Sequence, residues 1–71
     1  MTPDQVMMRR VFEQLRSRPP GWLGTAKEIA AQMDKAEPRD VEDACRVLHV
    51  QAKIRREREA GNRAPYQWGM P

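Results

Sequence analysis

Cysteine, histidine and serine each occur once in this sequence of 71 residues, as Cys45, His49 and Ser17. A lone cysteine excludes an internal disulfide framework, so the fold must hold by packing, as is usual in a reducing cytosol. One histidine, one cysteine and one serine, with no glycine-rich phosphate loop, leave nucleophile-and-base chemistry without its parts, and the expectation is a protein that is not an enzyme. Cys45 and His49 are four apart and would share a helix face, which makes half of a metal site. No second pair of Cys or His exists to complete the four ligands that zinc usually takes, so a buried thiol and a surface imidazole are expected, with no metal or other cofactor. No run approaches the roughly 18 apolar residues of a membrane span, and Met1-Thr2-Pro3-Asp4 lacks the basic region and apolar stretch of a signal peptide. A cytoplasmic protein without a membrane partner is the expectation.

What is present is globular in composition: 39% hydrophobic and 32% charged residues, in a length that suits one domain, residues 1–71, with a thin core. Thirteen Lys and Arg against ten Asp and Glu give a net +3 and a pI near 9.6, a basicity that permits nucleic-acid binding without demanding it. The surplus is uneven. Residues 1–34 carry net +1, residues 35–52 net −1 and residues 53–71 net +3.

The first helix is predicted over about 3–18. Thr2 can cap it, Pro3 fits the first helical position and Gln5 can reach back as a capping box. Met8, Val11, Phe12 and Leu15 form its apolar stripe opposite Arg9, Glu13 and Arg16. Met7 widens that stripe, and Pro19-Pro20-Gly21 ends the helix. Trp22-Leu23-Gly24 is a strand-like rung between breakers. Thr25-Ala26-Lys27-Glu28 is a second capping box, opening a helix over about 26–33 with Ile29, Ala30 and Met33 inward. After a turn through Asp34, Lys35 and Ala36, Glu37-Pro38 starts a third helix over about 38–52, whose core stripe is Val41, Ala44, Cys45, Leu48 and Ala52. Val47 and Val50 fall off that stripe, either covered by a partner or exposed without consequence. The period then turns extended: Lys53 to Glu59, a turn at Ala60-Gly61-Asn62-Arg63, and Ala64 to Trp68 make a β-hairpin. Tyr66 and Trp68 alternate with Gln67, so both rings can face the helices. Trp22, Tyr66 and Trp68 read as core in so small a domain, and Arg9, Arg10, Arg16 and Arg18 as solvated helix face or partner contact. The fold class is α+β.

The order helix, short strand, helix, helix, hairpin is that of a winged helix. Thr25-Ala26-Lys27-Glu28-Ile29-Ala30 resembles the T-x-x-E-I-A opening of the helix-turn-helix in bacterial winged-helix regulators of the MarR-like and FaeA-like groups. Val41, Cys45, Leu48, Ala52 and Ile54 are similar to a recognition helix of form V-x3-L-x2-L-x3-G-x-I that leads into a basic wing strand, here Arg55-Arg56-Glu57. Gly61-Asn62-Arg63-Ala64-Pro65-Tyr66-Gln67-Trp68 resembles the G-x-R-x-x-Y-x-W/L return strand. The resemblance covers residues 5–70. It implies a three-helix bundle with a helix-turn-helix and a C-terminal wing, docked on double-stranded DNA with the third helix toward the major groove and the wing on backbone or minor groove, in the service of transcription regulation.

The residues that this docking would use are Thr25 and Lys27 at the start of helix two, Arg39 and Arg46 on helix three, and Lys53, Arg55, Arg56, Arg58, Asn62 and Arg63 on the wing. At a helix start free amides attract phosphate oxygens, which places Thr25 and Lys27 well. Helix three is less suited, because Asp40, Glu42 and Asp43 stand among its cations and are repelled by phosphates. The wing and the capped start of helix two are therefore expected to dominate the phosphate contacts, although a row of arginines also guards a sheet edge against aggregation. The alternative reading is a winged helix that binds protein and no DNA, through helix one or helix three. A homodimer would use helix one, through Met7 and its neighbours; otherwise the chain is a monomer.

Overall fold

The computed structural model describes residues 3–58 and 64–71. Three helices and a three-stranded antiparallel sheet make an α+β fold: α1 (Pro3–Arg16), β1 (Gly24–Thr25), α2 (Ala26–Ala31), α3 (Pro38–Val50), β2 (Arg55–Glu57) and β3 (Gln67–Gly69). The predicted Thr2 cap and the turn at 60–63 lie outside the described residues.

Each helix stops short of its predicted end, for reasons found in its last turn. At α1 the Ser17 hydroxyl donates to the Gln14 carbonyl, 2.8 Å, and the Arg18 amide closes onto Leu15, 3.2 Å. The chain thus tightens from the i−4 to the i−3 pattern just before Pro19. In α2 the same tightening takes over after Ala31: Gln32 donates to Ile29 (3.1 Å) and Met33 to Ala30 (3.0 Å). α3 ends in a Schellman motif, with Lys53 donating to Leu48 (3.0 Å) and Ala52 to His49 (2.9 Å). That motif puts Ala52 in the left-handed region at φ 60°, a conformation that costs a side chain roughly 1–2 kcal/mol. Ala52 is therefore exposed and leaves the core stripe to which the sequence assigned it; Ile54 takes the buried place two residues on.

The core holds Val11 and Leu15 from α1, Ile29 and Ala30 from α2, Val41, Ala44, Cys45 and Leu48 from α3, and Ile54 and Trp68 from the strand region. α3 is its axis, since both α1 and α2 pack against it. Each fully buried aliphatic side chain here contributes roughly 1.5–3 kcal/mol. Met8, Phe12, Met33 and Tyr66 lie half-buried around this cluster.

The first strand sits two residues later than the expected Trp22–Gly24 rung. Gly24 pairs with Trp68 and Thr25 with Gln67, while Trp22 lies outside the ladder, half-buried against the core. Gly24 is needed there, because a Cβ at this position would run into the Trp22 indole. β3 is the central strand: on its other side Arg55 pairs with Gly69, Arg56 with Trp68 and Glu57 with Gln67. The expected hairpin partners are thus antiparallel neighbours, joined over three residues on each strand.

Candidate functional site

The β2 strand alternates its side chains across the sheet. Arg55 and Glu57 share one face, where they form a loose ion pair at 3.9 Å; Arg55 is half-buried, and its Nε has no hydrogen-bond partner among the described residues. Arg56 and Arg58 point to the other face and meet Tyr66. The Arg56 guanidinium lies 4.3 Å from the centre of the Tyr66 ring and that of Arg58 lies 5.0 Å from it. Continuing the β2–β3 register by one step sets Tyr66 opposite Arg58, which is how one ring serves both.

The ring attracts each cation through its quadrupole and holds the two guanidiniums together against their mutual repulsion. Neither has a carboxylate partner among the described residues. Two exposed guanidiniums on one aromatic make a candidate anion site, since each can take phosphate oxygens bidentately. Lys53, just ahead of β2, is exposed and likewise without a carboxylate among these residues. Asn62 and Arg63 lie outside the described residues.

Tyr66 was legible from the sequence only as core packing. The structure gives it a second job, and the signal for it was available: an aromatic two residues before Trp68, facing a strand with arginines at alternate positions.

The start of α2 is built differently from the open anion site that the sequence suggested. Thr25 caps the helix, its hydroxyl accepting from the Glu28 amide (3.2 Å) and donating to the Glu28 carboxylate (3.2 Å), while the Thr25 amide donates to that carboxylate (3.3 Å). The capping box engages the Thr25 amide and hydroxyl with Glu28, so Thr25 caps the helix and a carboxylate stands beside its start. Lys27, exposed on the same turn, has no carboxylate partner among the described residues.

On α3, Arg39 is exposed and unpaired among the described residues, but Arg46 reaches Glu42 at 3.8 Å. Asp40 and Asp43 stand exposed beside them, as do Val47 and Val50, the latter 84% exposed. This face mixes signs and apolar surface.

Of the four arginines in and just after α1, three make contacts within the fold. Arg10 donates to the Asp34 carbonyl, tying α1 to the turn before α3, so it is not the solvated or partner-facing residue expected. Arg18 covers Trp22 at 5.0 Å and Arg16 lies 5.9 Å from the Phe12 ring. Arg9 alone of the four makes no such contact among the described residues.

Cys45 and His49 do not converge on a common ligand position. Cys45 is fully buried, and burial, with the nearby Glu42 charge adding to it, pushes its thiol up to about 12. His49 is half-buried, its Nδ1 3.4 Å from the Ile54 carbonyl, and its ring meets Trp68 edge-on with centroids 6.1 Å apart. The imidazole thereby joins the end of α3 to the strand region instead of facing solvent. Among the described residues no helix is long and apolar enough to cross a membrane. No family model matches this chain, and no curated protein matches it.

Proposed function

We propose that this chain is a winged-helix domain that binds duplex DNA as a small regulator of transcription, with β2 and β3 as the wing. The observation that carries the reading is the pair Arg56 and Arg58 on the Tyr66 ring, unneutralised among the described residues. The element order and the sheet order β1-β3-β2 support it as an arrangement. In this reading the wing engages the phosphate backbone, Lys53 and Lys27 add charge to the same encounter, and Arg39 is the cation that α3 brings to the groove. Asp40 and Asp43 limit how closely α3 approaches phosphates, which makes binding backbone-dominated and weakly sequence-selective.

The test is a titration of a random-sequence duplex against the intact chain at several salt concentrations, read by fluorescence anisotropy. Affinity should fall steeply with salt, and Arg56→Ala with Arg58→Ala should lower the log–log slope by about two, one for each phosphate no longer neutralised. Absence of binding at low salt, or an unchanged slope in the double variant, defeats the proposal. A protein-interaction module is the second reading, favoured by Val47 and Val50, exposed next to carboxylates on α3; it expects NMR shifts on that helix with a protein partner and none with DNA.

A further inference from the structure

Between α1 and the end of α3 lies an open cleft of about 270 Å³. Met8 and Phe12 from α1 and Leu48 from α3 make an apolar floor, and Arg9, Glu13 and Lys53 stand around it. The rim carries two cations and one carboxylate. Glu13 is held by Arg16 at 3.4 Å, whereas Arg9 and Lys53 are exposed and have no carboxylate partner among the described residues.

An apolar floor beside two unneutralised cations selects its occupant by chemistry. Phosphate backbone would meet the cations but gain nothing from Met8, Phe12 and Leu48; a neutral apolar ligand would fill the floor and leave the cations unused. The volume lies at the lower limit of small-molecule pockets, and the cleft is open along one side, so it suits side chains projecting from a longer chain better than an enclosed ligand. We infer that the α1–α3 cleft docks an acidic peptide segment of a partner protein, an apolar side chain seated on Met8, Phe12 and Leu48 and flanking carboxylates on Arg9 and Lys53. Of the proposed DNA contacts only Lys53 lines this cleft, and the Arg56–Tyr66–Arg58 cluster does not, so the inference does not depend on DNA binding.

The experiment uses the intact chain, labelled for amide and methyl NMR, and a short synthetic peptide in which Leu and Phe are interspersed with Asp and Glu. Two control peptides carry Lys in place of the acids, or Ser in place of Leu and Phe. The acidic apolar peptide should shift the Met8 and Leu48 methyls and the Phe12 ring, and neither control should do so. Reversing both rim charges, Arg9→Glu with Lys53→Glu, should weaken that peptide about tenfold. Both positions are exposed, and an unchanged thermal melt confirms that the variant folds. No shift at these positions, an equal response to either control, shifts at Val47 and Val50 instead, or an affinity untouched by the charge reversal would each overturn the inference. So would octanoate reproducing the shifts at the same concentration, which assigns the cleft to small amphipathic carboxylates. Concentration-dependent shifts at the cleft in the free protein would overturn it too, assigning the cleft to a second copy of the chain.

Discussion

The rings of Tyr66 and Trp68 lie 5.9 Å apart, tilted by 56°, and they belong to different worlds. Trp68 is fully buried beneath the helices, while Tyr66, half-buried, carries Arg56 and Arg58 on its ring. The candidate anion site is thus fastened to the core through one aromatic pair, Trp68 in β3 and Tyr66 just ahead of it.

Tyr66→Phe keeps the ring and should leave duplex affinity unchanged, whereas Tyr66→Ala releases both guanidiniums and should weaken it about threefold to tenfold. Anisotropy titrations at one low salt concentration, below the melting temperature of each variant, make the comparison. Equal affinity in the alanine variant would show that the ring does not organise the arginines.

The Thr25 cap predicts a graded series in stability. Thr25→Ala should cost about 1 kcal/mol, lowering the midpoint by roughly 4–8 °C in a domain of this size. Thr25→Ser, which retains the hydroxyl, should stay close to the parent. Thermal unfolding followed by circular dichroism reads both. Because Thr25 acts through the helix, duplex affinity measured on folded protein should follow neither substitution.

Ala52 occupies at φ 60° a position that glycine adopts without steric cost. Ala52→Gly should therefore raise stability by roughly 0.5–1 kcal/mol, the relief of strain exceeding the added entropy of the unfolded chain. Urea denaturation gives the sign directly. Loss of stability would mean that α3 can end without the strain its Schellman turn imposes.

Cys45 links stability to alkaline pH. With its thiol moved from 9.0 to about 12 in the fold, the native chain keeps a proton that the unfolded chain gives up above pH 9. The unfolded state then binds fewer protons, so the contribution of Cys45 is fully present below about pH 9 and is lost as pH rises toward 12. Cys45→Val should flatten this part of the stability profile. The same burial predicts that the native thiol resists alkylation at pH 8 and reacts at once in denaturant.

Periodicity carried the helices because their burial is local: Val41, Ala44, Cys45 and Leu48 sit on one stripe whatever surrounds them, and all four are buried. Helix ends were less legible. Gln51-Ala52-Lys53 holds no glycine, so α3 read through to Ala52, although the resembled pattern has glycine at the place of Ala52, which is where the left-handed cap falls. β1 was misplaced because a strand of two residues is defined by its partner; Gly24 and Thr25 are strand through Trp68 and Gln67, while the more apolar Trp22-Leu23 is not. For the candidate site, the cations could be read off the chain, but their states could not. Arg55 and Arg46 are paired with Glu57 and Glu42, Thr25 is engaged by Glu28, and Arg56 and Arg58 are organised by Tyr66. Such distinctions depend on cross-strand register and on side-chain reach.

β3 is hydrogen-bonded on both edges, and β1 and β2 are paired only through it. Until Gln67–Gly69 arrive, neither outer strand has anything to pair with, and the closure from Gly24 to Trp68 encloses most of the chain. Pairing of β2 with β3 closes only a short stretch of chain, whereas pairing of β1 with β3 closes a far longer one and costs more loop entropy. Charge and posture therefore appear at different moments of folding. The nascent chain already carries every arginine of β2, but only the finished sheet offers Arg56 and Arg58 as a pair, so an anion that engages them draws the folding equilibrium toward the native state by mass action.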